Sequence, residues 1–75
     1  MYIVLEIQKT NDNVSTIVTK HATLEEAKSK YFTILAAAVH STMDRHHVTL
    51  LNEKGKELYN SGFDHKEVLD DGGTV

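Results

Sequence analysis

Apolar and polar positions alternate at the start of the chain. In the segment MYIVLEIQ, Ile3, Leu5 and Ile7 fall on one side, as expected for a β-strand whose side chains point alternately to two faces. The other side carries Tyr2, Val4, Glu6 and Gln8. The next residues, KTNDN, are typical of a turn, and VSTIVTK is rich in β-branched residues. The pattern therefore predicts a hairpin whose second strand covers residues 14–20.

A helix follows the hairpin. The motif TLEE fits a capping box, with Thr23 at the N-cap and Glu26 at the third helical position. The residues after it favour helix and include neither Gly nor Pro, so we predict a helix over residues 24–40. Its apolar arc contains Leu24, Ala27, Tyr31, Ile34, Leu35 and Ala38, and Phe32 and Val39 extend it. The full arc spans about 160°, whereas one amphipathic stripe needs about 100°.

Two more strands complete the pattern. The polar segment STMDRHH links the helix to a third strand over residues 47–52, and EKGK, with Gly55, turns the chain into a fourth strand over residues 57–61. The order β-β-α-β-β predicts an α+β fold of two layers, a four-stranded antiparallel sheet with one helix on one face. We expect residues 1–64 to form this single domain and residues 65–75 to be a polar tail that frays.

Composition narrows the class of protein. A chain of 75 residues buries only about 60% of its unfolded surface, so a lone copy is marginally stable. Cysteine is absent, which excludes disulfides and thiolate metal sites. The net charge of −3 argues against nucleic-acid binding through a broad, positively charged surface. Because the chain shows neither a secretory signal nor a long apolar run, we expect a cytoplasmic protein with no membrane contact.

Apolar surface remains after one helix has covered one face of the sheet. We expect the open face to hold some of Tyr2, Val4, Val14, Val18 and Leu51. The helix also has more apolar surface than the sheet can cover, and this surface is made of Phe32, Ala36 and Val39, with Met43 nearby. We predict that these last four residues form the interface of a homo-oligomer, most simply a two-fold dimer. The alternative is that Phe32 and Val39 wrap the edge of the core.

The segment HSTMDRHH, residues 40–47, holds three of the five histidines and the only arginine. His46 and His47 are neighbours and point opposite ways in an extended segment, and no zinc motif is present, so we expect no metal and no cofactor. Two interpretations stay open. The segment is either a polar connector whose cations stabilise the helix C-terminus, or a binding patch in which Arg45 grips phosphate or carboxylate.

Catalysis is not expected from these residues. The chain has no nucleophile elbow and no glycine-rich phosphate loop, and DDGG near its end lies in the wrong context for a phosphate or calcium loop. A chain of this size also has little room for a desolvated pocket. The sequence therefore favours a binding protein over an enzyme.

The segments YIVLEIQ, STIVT and EAKSKYFTILAAAV resemble those of small uncharacterised proteins encoded by bacteriophages and prophages. The likeness runs from Tyr2 to about Phe63 and lies in structural segments, so it carries over no site residues. It implies a phage-type accessory or counter-defence factor, which would act in the cytoplasm of the host cell.

Two functional hypotheses follow. In the first, an oligomer sequesters a nucleotide immune signal at a subunit interface. Phosphate would meet Arg45, His46 or His47, and Lys30, while Tyr31 or Phe32 stacks on the base. In the second, the protein is a protein–protein inhibitor or assembly factor that uses its open sheet face, a strand edge, or an acidic surface. That acidic surface would comprise Glu53, Glu57, Asp64 and Glu67. A role in the virion is also left open.

Overall fold

Two hairpins flank one helix in the computed structural model, which describes residues 1–65. The elements are β1 (Tyr2–Thr10), β2 (Asn13–His21), α1 (Leu24–Val39), β3 (Arg45–Asn52) and β4 (Glu57–Phe63). The strands form one antiparallel sheet in the order β2-β1-β3-β4. The predicted α+β fold with β-β-α-β-β order is confirmed. Apart from His65, the tail predicted over residues 65–75 lies outside the described residues.

The helix forms as its sequence predicts. The hydroxyl of Thr23 accepts a hydrogen bond from the Glu26 amide at 3.2 Å, which satisfies one of the free N–H groups of the first turn. The helix ends at Val39, one residue before the predicted end, and His40 is its C-cap.

The strands are longer than their sequence patterns. The predicted start of the third strand at residue 47 is wrong, because β3 begins at Arg45. β1 continues to Thr10, so Lys9 and Gln8 pair with Arg45 and His46 and satisfy their backbone groups. The polar link between helix and strand is therefore confined to residues 41–44. β4 likewise continues to Phe63, which pairs with His46.

The core lies between the helix and one face of the sheet. It consists of Val4, Ala27, Tyr31, Ile34, Val48 and Leu50, with Tyr2, Leu24 and Leu35 packed against it. Tyr2 and Val4, two of the five residues of which some were expected on the open face, therefore lie on the helix side. Both faces of β1 are apolar, so β1 alone cannot decide which one is covered. The strand register decides which face is covered, because it places Val4 beside Leu50 on the side that packs against the helix.

Candidate functional site on the open face of the sheet

The face of the sheet opposite the helix has no cover among the described residues. Its apolar members, here called the open-face patch, are Ile3, Leu5, Ile7, Val14, Val18 and Leu51. Val14 and Val18 are 62% and 56% exposed, and the other four are half-buried. The expectation that some of a set of five residues lie on this face is confirmed, because the strand register places Val14, Val18 and Leu51 there.

The register makes the centre of the patch continuous. Leu5 lies between Val18 on β2 and Thr49 on β3, and Ile3 lies beside Leu51. Toward β4 the face becomes polar, since the Thr49 hydroxyl donates to the Asn60 side-chain oxygen at 3.2 Å. The apolar surface therefore runs across the middle of the sheet, with a polar border on one side.

A charged cluster stands at one end of the patch. Arg45 Nε donates to Asp64 Oδ1 at 2.6 Å, and His47 Nε2 lies 3.0 Å from the same oxygen. All three side chains are 30–40% exposed. Since His47 pairs with Ile7, this Arg45–His47–Asp64 cluster directly adjoins the apolar surface.

Partial burial raises the pKa of Asp64, but the hydrogen bonds from Arg45 and His47, together with their charges, outweigh burial and lower the pKa below its ordinary value. The carboxylate is therefore ionised at neutral pH and holds both strand side chains against the end of β4. The sequence contains no local signal for this cluster, because Asp64 lies 19 residues from Arg45 and 17 from His47.

His47 also depends on a glycine. Gly62 pairs with His47 across the strands, and a Cβ added to Gly62 would lie 2.4 Å from His47 Cγ. The imidazole therefore lies over the bare backbone of β4, in the space that a side chain would fill.

His46 occupies the opposite side of the sheet. Its Nε2 lies 2.5 Å from Glu6 Oε2, and Gln8 Nε2 donates to the same oxygen at 2.7 Å. His46 is 5% exposed, and its Nδ1 has no hydrogen-bond partner among residues 1–65. The prediction that His46 and His47 point opposite ways is confirmed.

Burial raises the pKa of Glu6, but the hydrogen bonds from Gln8 and His46 and the charges of His46 and Lys30 outweigh burial and lower it. Glu6 is therefore an ionised carboxylate beneath the helix, surrounded by donors. This group is part of the packed layer between helix and sheet.

Within one copy of the chain, the six residues predicted to bind a ligand lie at different places. Arg45 and His47 lie on the open face, whereas the side chains of His46 and Tyr31 are buried between the helix and the sheet. Lys30 and Phe32 lie on different sides of that helix. The charge of Lys30 acts on Glu6 of β1, whereas the ring of Phe32 lies 6.2 Å from that of Tyr59 on β4.

The residues predicted to form an oligomer interface are accessible. Phe32 and Val39 are 52% and 48% exposed, Ala36 is exposed, and Met43 is half-buried. Beside Phe32, Lys28 Nζ lies 5.6 Å from the ring centroid of Tyr59, which is itself 37% exposed. Tyr59 completes an aromatic surface that the helix pattern alone could not reveal.

The helix C-terminus is bound by a residue that the sequence left unassigned. His65 Nε2 lies 3.0 Å from the Ala38 carbonyl oxygen, and its ring stacks on Phe63 at 5.8 Å. Arg45 and His47, one proposed source of this stabilisation, both contact Asp64. The histidine found at the helix C-terminus, His65, lies outside the segment to which the connector interpretation refers.

The predicted acidic surface is divided. Asp64 belongs to the charged cluster, Glu53 lies 3.4 Å from the N-terminal nitrogen, and Glu67 lies outside the described residues. Among residues 1–65, no group of three or more side chains converges to hold a metal ion. A surface depression of about 240 Å³ near the N-terminus is lined by Met1, Tyr2, Asn52, Glu53 and Lys54.

Comparison with protein-family models, curated proteins and solved structures finds no match. Within residues 1–65, no helix has the length and apolar character needed to cross a membrane.

Proposed function

We propose that the chain is a non-enzymatic binding protein that recognises a protein partner with the open face of its sheet. The observation that carries the proposal is the open-face patch, which has no cover within the described chain and runs from Val18 through Leu5 and Ile3 to Leu51. Exposed apolar surface of this kind on a small domain is typical of interaction sites.

The surroundings of the patch suit a protein surface better than a small molecule. Apolar side chains lie at the centre, while Thr49, Asn60 and the Arg45–His47–Asp64 cluster lie at the border. An apolar centre with a polar rim is the usual anatomy of a protein–protein interface. A pleated sheet face is also broad and shallow, whereas small ligands are bound in concave sites.

The His47–Asp64 pair supports binding more than hydrolysis. A histidine beside a carboxylate occurs in hydrolytic triads, but there it must also contact a nucleophile. The position beneath the His47 ring is Gly62, which has no side chain. We therefore assign the pair to the rim of the interface.

Substitution of Leu5→Lys tests the proposal. Leu5 lies at the centre of the patch and outside the core cluster, so the variant should fold and lose affinity by about tenfold or more, as for an interface hot spot. A partner captured by the wild-type protein is titrated against the wild type and against the Leu5→Lys variant by calorimetry. Ser29→Lys, on the exposed side of the helix, is the matched control and should bind as wild type. Equal affinity of the Leu5→Lys variant and the wild type would contradict the proposal.

The resemblance to phage and prophage proteins suggests the kind of partner. A phage-type accessory factor acts inside the host cell, so the partner is a host protein and the expected effect is inhibition or assembly by occupation of its surface. Capture from bacterial lysate, followed by the Leu5→Lys titration, tests this step together with the open face.

Nucleotide binding is a second candidate function, and one specific observation favours it. Phe32 and Tyr59 present exposed rings beside the ammonium group of Lys28, and such a surface can stack a base next to a cation. A thermal-shift panel of cyclic and linear nucleotides tests it, with Phe32→Ala as the variant that should lose any shift. The absence of a shift for every nucleotide in the panel would refute this candidate.

A further inference from the structure

We propose that β2 is a self-pairing edge, at which a second copy of the chain adds its own β2 antiparallel to the first across a two-fold axis at Ile17. The two sheets would become one continuous eight-stranded sheet. This inference does not depend on the proposed function, although it would double the open face on which that function rests.

β2 is exposed on both of its faces. It is an edge strand of nine residues, and all of them except Thr19 and His21 are exposed. Ile17 is 45% exposed on the helix side, and Val14 and Val18 are 62% and 56% exposed on the open side. The helix packs mainly over the other strands, so it leaves the space beside β2 free.

The two edges of the sheet differ in how they resist strand addition. β4 carries a bulge opposite Leu50 and Leu51, and its end is held by the charged cluster around Asp64. β2 pairs with β1 in unbroken register over its whole length and contains neither bulge nor proline, and Lys20 is its one charged residue apart from histidine. Natural edge strands are normally protected by bulges, prolines or charged side chains, so an edge whose residues 14–19 carry none of these is suited to pairing.

The hairpin determines which backbone groups of β2 are free. The two-residue loop makes Thr10 and Asn13 a hydrogen-bonded pair, and hydrogen-bonded pairs then alternate along the strands. The residues whose N–H and C=O groups point away from β1 are therefore Val14, Thr16, Val18 and Lys20. These groups form a regular row along the outer edge.

A two-fold axis at Ile17 pairs that row with itself. Thr16 meets the partner's Val18, and Val14 meets the partner's Lys20, so every outward N–H and C=O finds an acceptor or a donor. No like charges are opposed, because the only lysine of the strand faces a valine. At the axis, Ile17 packs against the partner's Ile17 in a non-hydrogen-bonded pair, where side chains approach most closely.

A second copy is the occupant that this strand fits. A two-fold axis at Ile17 gives each residue of the strand a fixed opposite residue, and the central pairs Thr16–Val18 and Ile17–Ile17 are β-branched on both sides. Self-pairing also removes exposed apolar surface from a chain whose small size limits its core.

The solution mass tests the dimer directly. Light scattering coupled to size exclusion should give twice the chain mass of 8.4 kDa for the wild type and for Phe32→Lys, whose substitution lies on the helix. Ile17→Lys should halve the mass, because two ammonium groups would face each other at the axis. Circular dichroism confirms that each variant folds. A monomeric wild type, or a dimer broken by Phe32→Lys and not by Ile17→Lys, would overturn the inference.

Cysteine substitution tests the register. The chain has no cysteine, so Ile17→Cys and Val14→Cys each introduce a single thiol. Across the axis, residues 17 lie at disulfide distance, whereas residues 14 lie about 20 Å apart, six residue steps along the strand. In a glutathione buffer the Ile17→Cys disulfide dimer should exceed that of Val14→Cys by about tenfold or more. Equal cross-linking would overturn the register.

The outcomes separate the two proposals. Leu5→Lys should leave the mass of the dimer unchanged while weakening partner binding, and Ile17→Lys should change the mass while leaving Leu5 accessible. A monomer that still binds its partner through Leu5 would overturn self-pairing and support the proposed function.

Discussion

His46 and His47 are consecutive residues on opposite sides of a sheet. His46 is buried beside Glu6 under the helix, and His47 is half-exposed beside Asp64 at the rim of the open face. The same side chain therefore serves internal packing in one position and the accessible surface in the next, because successive residues of a strand point to opposite faces.

Gly62 leaves the space that the imidazole of His47 occupies. Gly62→Ala should destabilise the fold by about 1–3 kcal/mol, because the new Cβ would lie 2.4 Å from His47 Cγ and 2.7 Å from the His46 carbonyl oxygen. Urea unfolding measures the loss. In a His47→Ala background the part due to the ring should be recovered and the part due to the backbone oxygen should persist. Full recovery would show that only the imidazole is displaced.

The two partnered carboxylates make stability depend on pH. The pKa of Glu6 in the folded chain lies below its ordinary value of 4.5, so the unfolded chain takes up protons first as the pH falls. The free energy of unfolding should therefore be at its plateau above the ordinary pKa and decline as the pH falls below it. Asp64, whose pKa is also lowered from 3.8, adds to the decline at lower pH.

Urea unfolding of wild type and Glu6→Gln between about pH 6 and about pH 3 measures this contribution. Glu6→Gln should flatten the decline more than Asp12→Asn, which removes an exposed carboxylate in the turn between β1 and β2. The same slope in wild type and Glu6→Gln would show that Glu6 keeps its ordinary pKa.

At the scale of the element, the helix contacts the sheet through small residues. Ala27 and Ala38 are fully buried, whereas Ala36 and Ala37 in the same run are exposed. Ala27 belongs to the core cluster shared with Val48 and Leu50 of the sheet, so its small side chain is where the helix approaches the sheet closely. At Ala36 the small side chain leaves the helix surface open beside Phe32.

Ala38→Leu should destabilise the fold by about 1–3 kcal/mol, because the Ala38 side chain is fully buried and the added carbons have no free space around it. Ala37→Leu is the matched control: it adds the same atoms one position away, where they face solvent, and should change stability by less than about 0.5 kcal/mol. Thermal unfolding of both variants measures the difference. Equal loss in both would mean that helix propensity decides the effect.

At the scale of the whole molecule, stability and self-association are linked. A chain that dimerises through β2 should unfold at a temperature that rises with protein concentration, because association stabilises the folded state by mass action. Thermal unfolding over a wide range of concentrations should show this rise for wild type and not for Ile17→Lys. A concentration-independent midpoint for wild type would show that folding does not need the second copy.

Much of the fold follows from local rules. The capping box at Thr23, the uninterrupted helix formers after it and the alternation in β1 predicted the helix and the sheet, because they depend on residues close in sequence. The start of β3 was misplaced for a related reason. Arg45 and His46 lack strand propensity, and only pairing with β1 makes them part of a strand.

By itself the sequence determined the order of the elements, the lack of cysteine chemistry and the existence of more apolar surface than one helix can cover. Only the tertiary structure decided which face of β1 is covered, that Arg45, His47 and Asp64 meet, and that the six candidate ligand residues are spread over different places in one copy of the chain. Those outcomes depend on strand register and on contacts between residues far apart in the chain, and register is set by how all four strands pack at once.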